Sequence, residues 1–242
     1  HFKSYGLFAF SEKKYKRLCH EINIAEKMLA LSRADFFLYR LPSFHKGRLF
    51  HYFFKNTGYL DIETTGLSPG SKLTTAVLFR NNNIYYYINP GNIYEIIPEL
   101  MKCSLIVTFN GKRFDIPILK KTLKMDINIP HLDIMPVMSS LGCKGGLKQI
   151  QKKISICRES KTNGAEAVKL WKTYQETNNI LYLKKLLEYN TEDSIALHEL
   201  FKYAYYRSIC NFPLKMKIPD RTKKPNITQS IAIFLSKTII DK

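Results

Sequence analysis

The sequence predicts an α/β fold in which strands come early and helices late, with a basic segment flanking the body at each end. From Tyr59 the chain changes from charged and aromatic residues to alternating strand-like and helix-like patterns. The 242 residues are enough for one sizeable domain with appendages. No apolar run approaches the roughly 20 residues of a membrane-spanning helix, so no membrane partner is expected.

Five strands are predicted in the first half of this body, at residues 59–63, 74–79, 84–89, 105–109 and 131–134. Three consecutive asparagines separate the second strand from the third, as in a hairpin, so the first three strands are expected to be antiparallel. The fourth is a continuous apolar run, a pattern typical of a strand buried on both faces.

Helices are predicted at residues 93–102, 114–124, 134–141, 147–153, 164–176 and 179–207. Before the body, residues 1–57 form a basic extension, expected to be helical and then to run as an extended arm through Leu41 and Pro42. After it, residues 211–242 read as a proline-rich linker and an amphipathic helix at 228–239. The domain itself is therefore placed at residues 58–210.

The charge balance indicates a polyanionic partner. The 38 Lys and Arg residues outnumber 20 Asp and Glu, and both flanks are strongly basic, which suits phosphates, while abundant aromatic residues suit unpaired bases. The alternative is that the lysines simply solvate helices. Five scattered cysteines without a CxxC pair argue against a disulfide framework or a zinc site. With no signal-peptide pattern, a cytoplasmic location is expected.

Two acids stand close together on the first strand. Asp61 and Glu63 are two residues apart, so both side chains project from the same face of the sheet. A pair that simply faces solvent is the alternative, but apolar neighbours on both sides make it less favourable.

Two further acids lie on predicted helices. Asp115 follows a buried strand and a glycine turn and would begin a helix, where it could equally serve as a cap. Asp193 and Tyr189 fall on the apolar stripe of the last long helix. A buried carboxylate is costly unless a cation pairs with it. A metal ion would satisfy Asp193, and a lysine partner is the alternative.

Four acids from separate elements can converge on two divalent cations about 4 Å apart. Oxygen ligands favour Mg²⁺ or Mn²⁺. Such a site is suited to hydrolysis of phosphodiester bonds.

Three segments resemble, in order and spacing, the exonuclease motifs of the DnaQ-like DEDD superfamily with a ribonuclease-H-like fold: residues 60–67, 109–115 and 189–193. The third segment has a tyrosine four residues before Asp193 and so resembles the motif of the tyrosine subclass. The histidine subclass would carry histidine where this chain has Glu188. Further likeness to YprB-like ribonuclease-H-like domains lies in residues 131–133, 145–148, 168–171 and the Tyr-Asn-x-Glu-Asp string. The resemblance implies a mixed five-stranded sheet flanked by helices.

The resemblance also implies roles for individual residues. Asp61 would bridge two metal ions, Glu63 and Asp193 would hold the ion that binds the nucleophilic water, and Asp115 would serve the second ion. Tyr189 would orient the water, because an ordinary pKa near 10 makes it a poor base. Asp133 is expected to cap the following helix, and the alternatives are a position behind the metal ligands or a role as a fifth ligand. The expected nucleic-acid contacts are Thr64, Thr65, Leu67, Asn110, Lys112, Arg113, Lys144 and Lys148.

The sequence therefore predicts a metal-dependent 3′ to 5′ exonuclease acting on single-stranded or frayed DNA or RNA. A structure-selective endonuclease using the same site, and a catalytically silent nucleic-acid-binding module, are the alternatives. The basic flanks are expected to grip the strand, unless their aromatic residues instead cover the body. Residues 211–242 match no recognised motif and offer a segment for a protein partner.

Overall fold

The computed structural model describes residues 11–68, 70–160 and 162–210. These residues contain one five-stranded sheet, with strands β1 Thr57–Thr64, β2 Leu73–Arg80, β3 Asn83–Ile88, β4 Leu105–Thr108 and β5 His131–Asp133. All five predicted strands are therefore confirmed, with ends that move by one or two residues.

The sheet is mixed, as predicted. Its order is β3-β2-β1-β4-β5, with antiparallel pairing among the first three strands of the chain and parallel pairing of β4 with β1 and of β5 with β4. The register places Asp61 opposite Val77 and Glu63 opposite Thr75, and an irregularity follows Glu63. The sheet therefore delivers both acids near the end of its central strand.

Helices cover both faces of the sheet. The helices within the described residues are α1 Glu12–Ala30, α2 Ala34–Arg40, α3 Ser43–Lys46, α4 Leu49–Phe53, α5 Ile96–Met101, α6 Asp115–Leu123, α7 Ile134–Ser140, α8 Leu147–Lys153, α9 Gly164–Thr177 and α10 Ile180–Ile209. The helix predicted at 93–102 begins as a 3₁₀ turn. No helix in this part of the chain combines the length and apolar character needed to span a bilayer.

The alternation of side chains along β1 decides which face carries the acids. Leu60 and Ile62 pack into the core beneath α5 and α6, whereas Tyr59 joins the core formed with α10. Because successive strand residues point to opposite faces, Asp61 and Glu63 share the α10 face with Tyr59.

The longest helix, α10, lies across β1 and β2 and supplies the other half of the site. The Asn179 side chain accepts a hydrogen bond from the Leu181 amide and so fixes where the helix begins. Leu197, Leu200 and Phe201 are fully buried in the core on this face, and this packing holds the register of α10 against the sheet.

The N-terminal extension differs from the prediction. The extended arm through Leu41 and Pro42 is wrong: that dipeptide only separates two short helices, and the chain stays helical to Phe53. Phe50 and Phe53 are buried in the core shared with α10. At Gly47 an added Cβ would lie 2.4 Å from the Ala204 carbonyl oxygen, which shows how closely the two segments approach.

This packing favours the covering role for residues 34–53 of the extension, since the core side chains they provide are shielded from solvent. The linker and amphipathic helix predicted within residues 211–242 lie outside the described residues.

Candidate active site

The end of β1 contributes two half-buried acids to the surface beneath α10. Asp61 and Glu63 are both partly exposed on this face, as their spacing on a strand requires. The alternative of a freely solvated pair is not what the structure contains, because both side chains lie against α10.

Helix α10 brings a third acid to the same place. Asp193 is 4% exposed and Tyr189, one helical turn earlier, is 5% exposed. Oxygen atoms of Asp61, Glu63 and Asp193 all lie within 4.8 Å of one another. Residues from a strand and from a helix more than a hundred positions later thus form one carboxylate group.

The fourth acid is positioned by a tight turn between β4 and α6. Asp115 is the first residue of α6 and is 4% exposed. Before it, a Cβ on Gly111 would lie 2.0 Å from Thr108 Oγ1 and 2.9 Å from Asp115 Oδ2, so only glycine leaves room here. Asp115 lies outside the group of three but close enough for its charge to act on Asp61 and Glu63.

Asp133 stabilises this turn from behind. Its Oδ1 accepts hydrogen bonds from the Met135 amide, which caps α7, and from the Asn110 amide at 2.9 Å. Its Oδ2 accepts from the Lys112 amide at 3.4 Å. The expected helix cap is confirmed, and the same carboxylate also holds the turn that leads to Asp115.

The acids make one another difficult to ionise. Burial, and then the charges of Asp193 and Asp115, raise the pKa of Glu63 to about 8. Burial, and then the neighbouring carboxylates, raise the pKa of Asp61 well above its ordinary value. Burial also raises the pKa of Asp115 to about 7, although backbone hydrogen bonds oppose the rise. The metal-free site therefore holds more carboxylates than its own cations stabilise.

A chain of hydrogen bonds fixes the orientation of Asp61. The Thr75 hydroxyl donates to Asn190 Oδ1 at 3.1 Å, and Asn190 Nδ2 donates to Asp61 Oδ2 at 2.6 Å. Asn190 is fully buried, so its amide cannot turn towards solvent. No local sequence pattern indicated this role, although Asn190 lies inside the Tyr-Asn-x-Glu-Asp string.

Two cations border the acids. The predicted lysine alternative for Asp193 is replaced by Arg158, whose guanidinium is hydrogen-bonded to that carboxylate. Lys148 Nζ lies 4.4 Å from the centroid of the Tyr189 ring, and its pKa is lowered by burial while the charges of Asp193 and Glu63 oppose the fall. Arg158 stands in an irregular stretch without hydrophobic periodicity, so no sequence pattern pointed to it.

The donor set fits divalent cations. Carboxylate oxygens of Asp61, Glu63 and Asp193 converge within 4.8 Å of one another, and all of these atoms are hard oxygens. Such a set matches the oxygen chemistry of Mg²⁺ or Mn²⁺ rather than the nitrogen and sulfur ligands of structural zinc.

The predicted nucleic-acid contacts have varied surroundings. The Thr64 hydroxyl is used by its own turn, donating to the Gly66 carbonyl at 2.6 Å. Asn110 adopts a left-handed conformation within the turn before Asp115. The remaining candidates apart from Lys148 are exposed: Thr65, Leu67, Lys112, Arg113 and Lys144.

The sequence and the structure of this chain were compared with those of known proteins. Residues 58–205 match the RNase_H_2 family model of the RNase_H superfamily, and no curated protein sequence matches the chain. One similar solved structure is the family B DNA polymerase from the hyperthermophilic archaeon Pyrobaculum calidifontis, at 13% sequence identity and a TM-score of 0.49. The match covers 73% of this chain and only 27% of the polymerase chain.

Proposed function

This chain belongs to the RNase H superfamily, and from that premise we propose that it is a metal-dependent 3′ to 5′ exonuclease of the DEDD tyrosine subclass. Its substrate would be single-stranded or frayed nucleic acid. The observation that carries the proposal is the convergence of Asp61, Glu63 and Asp193, with oxygens within 4.8 Å. Structural packing alone gives no reason to bring three mutually repelling carboxylates together, two half-buried and one buried.

Asp61, Glu63, Asp115 and Asp193 are the residues that would hold two Mg²⁺ or Mn²⁺ ions. When bound, the ions supply an activated water and neutralise charge on the reacting phosphate. The protein supplies the rest by orientation. Asn190 holds Asp61 in one rotamer, and Asp133 holds the turn that carries Asp115.

Tyr189 has a positioning role in this proposal. Burial, and then the charges of Asp193 and Glu63, raise the pKa of its hydroxyl above the ordinary value. The phenol therefore stays protonated at neutral pH and cannot act as a base. It can still donate one hydrogen bond and accept another, which suits a group that orients the attacking water.

Substrate binding would begin at the basic border of the acids. Lys148 borders the acids, and its charge acts on both Asp193 and Glu63. Lys112 and Arg113 are exposed on the turn before Asp115 and would meet phosphates further along the strand. Contacts of this kind carry no base specificity, so both DNA and RNA are candidate substrates.

The first experiment tests whether the protein cleaves nucleic acid, and whether it cleaves DNA, RNA or both. Single-stranded DNA and RNA with a 5′ label are incubated with the protein in Mg²⁺, Mn²⁺ or EDTA. A ladder that shortens from the 3′ end, seen only with metal, supports the proposal. The matched control is Asp61→Asn, which keeps the size of the side chain and removes its charge. Binding without cleavage under every metal condition would instead indicate a silent binding module.

A second experiment separates exonuclease from endonuclease action. Circular single-stranded DNA has no 3′ end, so an exonuclease leaves it intact while digesting the linear form. Discrete internal cuts in the circle, lost in Asp61→Asn, would contradict the exonuclease assignment while keeping the nuclease assignment.

A further inference from the structure

Between α8 and α9, residues 154–160 run alongside the acid group and are attached to α10 by hydrogen bonds. The backbone amides of Glu159 and Ser160 both donate to Glu192 Oε1 at 2.9 Å. At the far side the Lys148 ammonium donates to the Thr162 carbonyl. These contacts hold the backbone at Glu159, Ser160 and Thr162, and the side chain of the neighbouring Arg158 lies against the active site.

Arg158 makes its contacts with residues that belong to the site or adjoin it. Its Nη1 donates to Asp193 Oδ1 and, at 3.0 Å, to Gln151 Oε1. Its Nη2 lies 3.3 Å from Glu192 Oε2. The guanidinium carbon is 5.4 Å from the centroid of the Tyr189 ring. The arginine is thus the counter-cation of a proposed metal ligand.

One edge of the guanidinium is nevertheless incompletely satisfied. Nε is buried and makes no hydrogen bond to the described residues, and Nη2 faces Glu192 Oε2 at 3.3 Å as an ion pair without hydrogen-bond alignment. An arginine carries five N–H donors in a rigid fork, and the Nε and Nη2 edge is one of the edges that bind two oxygens of a phosphate side by side. A buried donor without a well-aligned acceptor costs free energy, so charge holds the side chain in this position while its hydrogen bonding stays incomplete.

A divalent ion held by Asp193 would share this carboxylate with Arg158. Its charge would weaken the attraction between Asp193 and the guanidinium, whose Nε–H lacks an acceptor among the described residues. A bound strand would supply anionic phosphate oxygens at this place. A substrate phosphate therefore offers what the resting contacts of Arg158 lack.

We propose that Arg158 exchanges Asp193 for a phosphate of the nucleic-acid substrate when the divalent ion binds. This inference rests on the proposed nuclease function and adds a residue that the sequence motifs do not contain. In the metal-free protein Arg158 neutralises Asp193. In the loaded protein it binds the strand, with Glu192 and Gln151 steering the side chain.

The first arm of the test measures metal binding without nucleic acid. Titration calorimetry with Mn²⁺ compares wild type with Arg158→Gln and with Arg207→Gln, an exposed arginine on the last turn of α10. Because the competing cation is removed, Arg158→Gln should bind Mn²⁺ several-fold more tightly, whereas Arg207→Gln should match wild type. Unchanged or weaker Mn²⁺ binding by Arg158→Gln overturns the exchange.

The second arm measures binding of a short fluorescent single strand in Ca²⁺, with recovery of intact strand checked on a gel. Arg158→Gln should weaken binding about tenfold, Arg158→Lys should recover part of the loss, and the fall of log affinity with log salt should be shallower by about 0.7. Neutral methylphosphonate linkages near the 3′ end should weaken strand binding by wild type more than by Arg158→Gln, and equal weakening would contradict a phosphate contact of Arg158.

Thermal melting of each variant distinguishes a purely structural role of Arg158 from the proposed role in binding phosphate. If Arg158→Gln has a lower melting temperature but binds the strand with wild-type affinity and salt dependence, Arg158 has only a structural role and the proposal fails. That failure differs from failure of the proposed function, in which the wild-type protein itself neither binds nor cleaves the strand.

Discussion

Asn190 of α10 donates a 2.6 Å hydrogen bond to Asp61 of β1, joining two residues 129 positions apart in the sequence. The bond occupies Oδ2 of Asp61 and leaves its other oxygen for a cation. Because Asn190 is held in turn by the Thr75 hydroxyl, the central strand, its neighbour and the long helix are fixed relative to one another at the site.

Asn190→Ala is therefore expected to lower activity without removing a ligand. Loss of a group that orients a ligand typically costs about 10–100-fold in metal affinity or activity. Thr75→Val keeps the shape of the threonine and removes only the hydroxyl behind Asn190, so its effect should be smaller. Metal titrations and turnover on both variants test this order, and equal losses would contradict it.

Asp61→Asn and Asp193→Asn should both abolish cleavage but should differ in stability. Asp61 has acids as its charged neighbours, so the amide removes repulsion and the metal-free melting temperature should rise. Asp193 is paired with Arg158, and breaking a buried pair is costly. Its melting temperature should fall, by about 2–4 °C for each kcal/mol lost. Melting in EDTA measures both, and near-wild-type turnover of either variant would contradict its assignment as a ligand.

Tyr189→Phe should lower turnover about tenfold, the effect of one hydrogen bond in the transition state. The phenylalanine keeps the ring that Lys148 contacts, so the affinity for the strand should hardly change. Calorimetry with Mn²⁺ provides the control. Loss of metal binding in this variant would give the hydroxyl a structural role instead of an orienting one.

The metal-free protein should lose stability as the pH rises from about 5 to 8. The pKa of Glu63 is raised from its ordinary 4.5 to about 8, and that of Asp115 from 3.8 to about 7. Over this window the folded state binds more protons than the unfolded state, so the free energy of unfolding falls with rising pH. Their stabilising contribution is complete below the ordinary pKa values and is lost above the raised ones.

Thermal melting in EDTA across this range measures the effect, and Mg²⁺ should reduce the fall because the cation favours the charged acids. Glu63→Gln should flatten the slope. Carboxylates with lowered pKa values, such as Asp35 and Glu99, change stability only at lower pH. A metal-free stability that stays constant from pH 5 to 8 would contradict the raised pKa values.

Local sequence patterns account for the elements and for the acids. The two-residue spacing on β1 put Asp61 and Glu63 on one face, and the apolar stripe of α10 put Asp193 on its buried side, because strand and helix periods are local properties. The Asn190 to Asp61 bond and the Arg158 to Asp193 pair depend instead on how α10 and an irregular loop pack in three dimensions. No local period encodes such contacts.

The same reason explains the error in the N-terminal extension. Leu41 and Pro42 read as an extended arm because a residue before proline avoids the helical region. The chain obeys this rule for one residue and then returns to helix, since Phe50 and Phe53 are buried only when the segment folds back onto α10. Tertiary burial outweighs the local preference.

The boundary of the family match has a practical consequence for anyone who isolates this domain. The match begins at residue 58, yet Phe50 packs edge-to-face on Phe201 at 5.4 Å between ring centroids and Gly47 lies against the Ala204 backbone. A fragment trimmed at residue 58 would keep every acid of the site and expose an aromatic stripe on α10 to water, where it invites aggregation. If such a fragment were inactive, the cause would be the lost packing between the N-terminal helices and α10, because all the proposed catalytic residues would still be present.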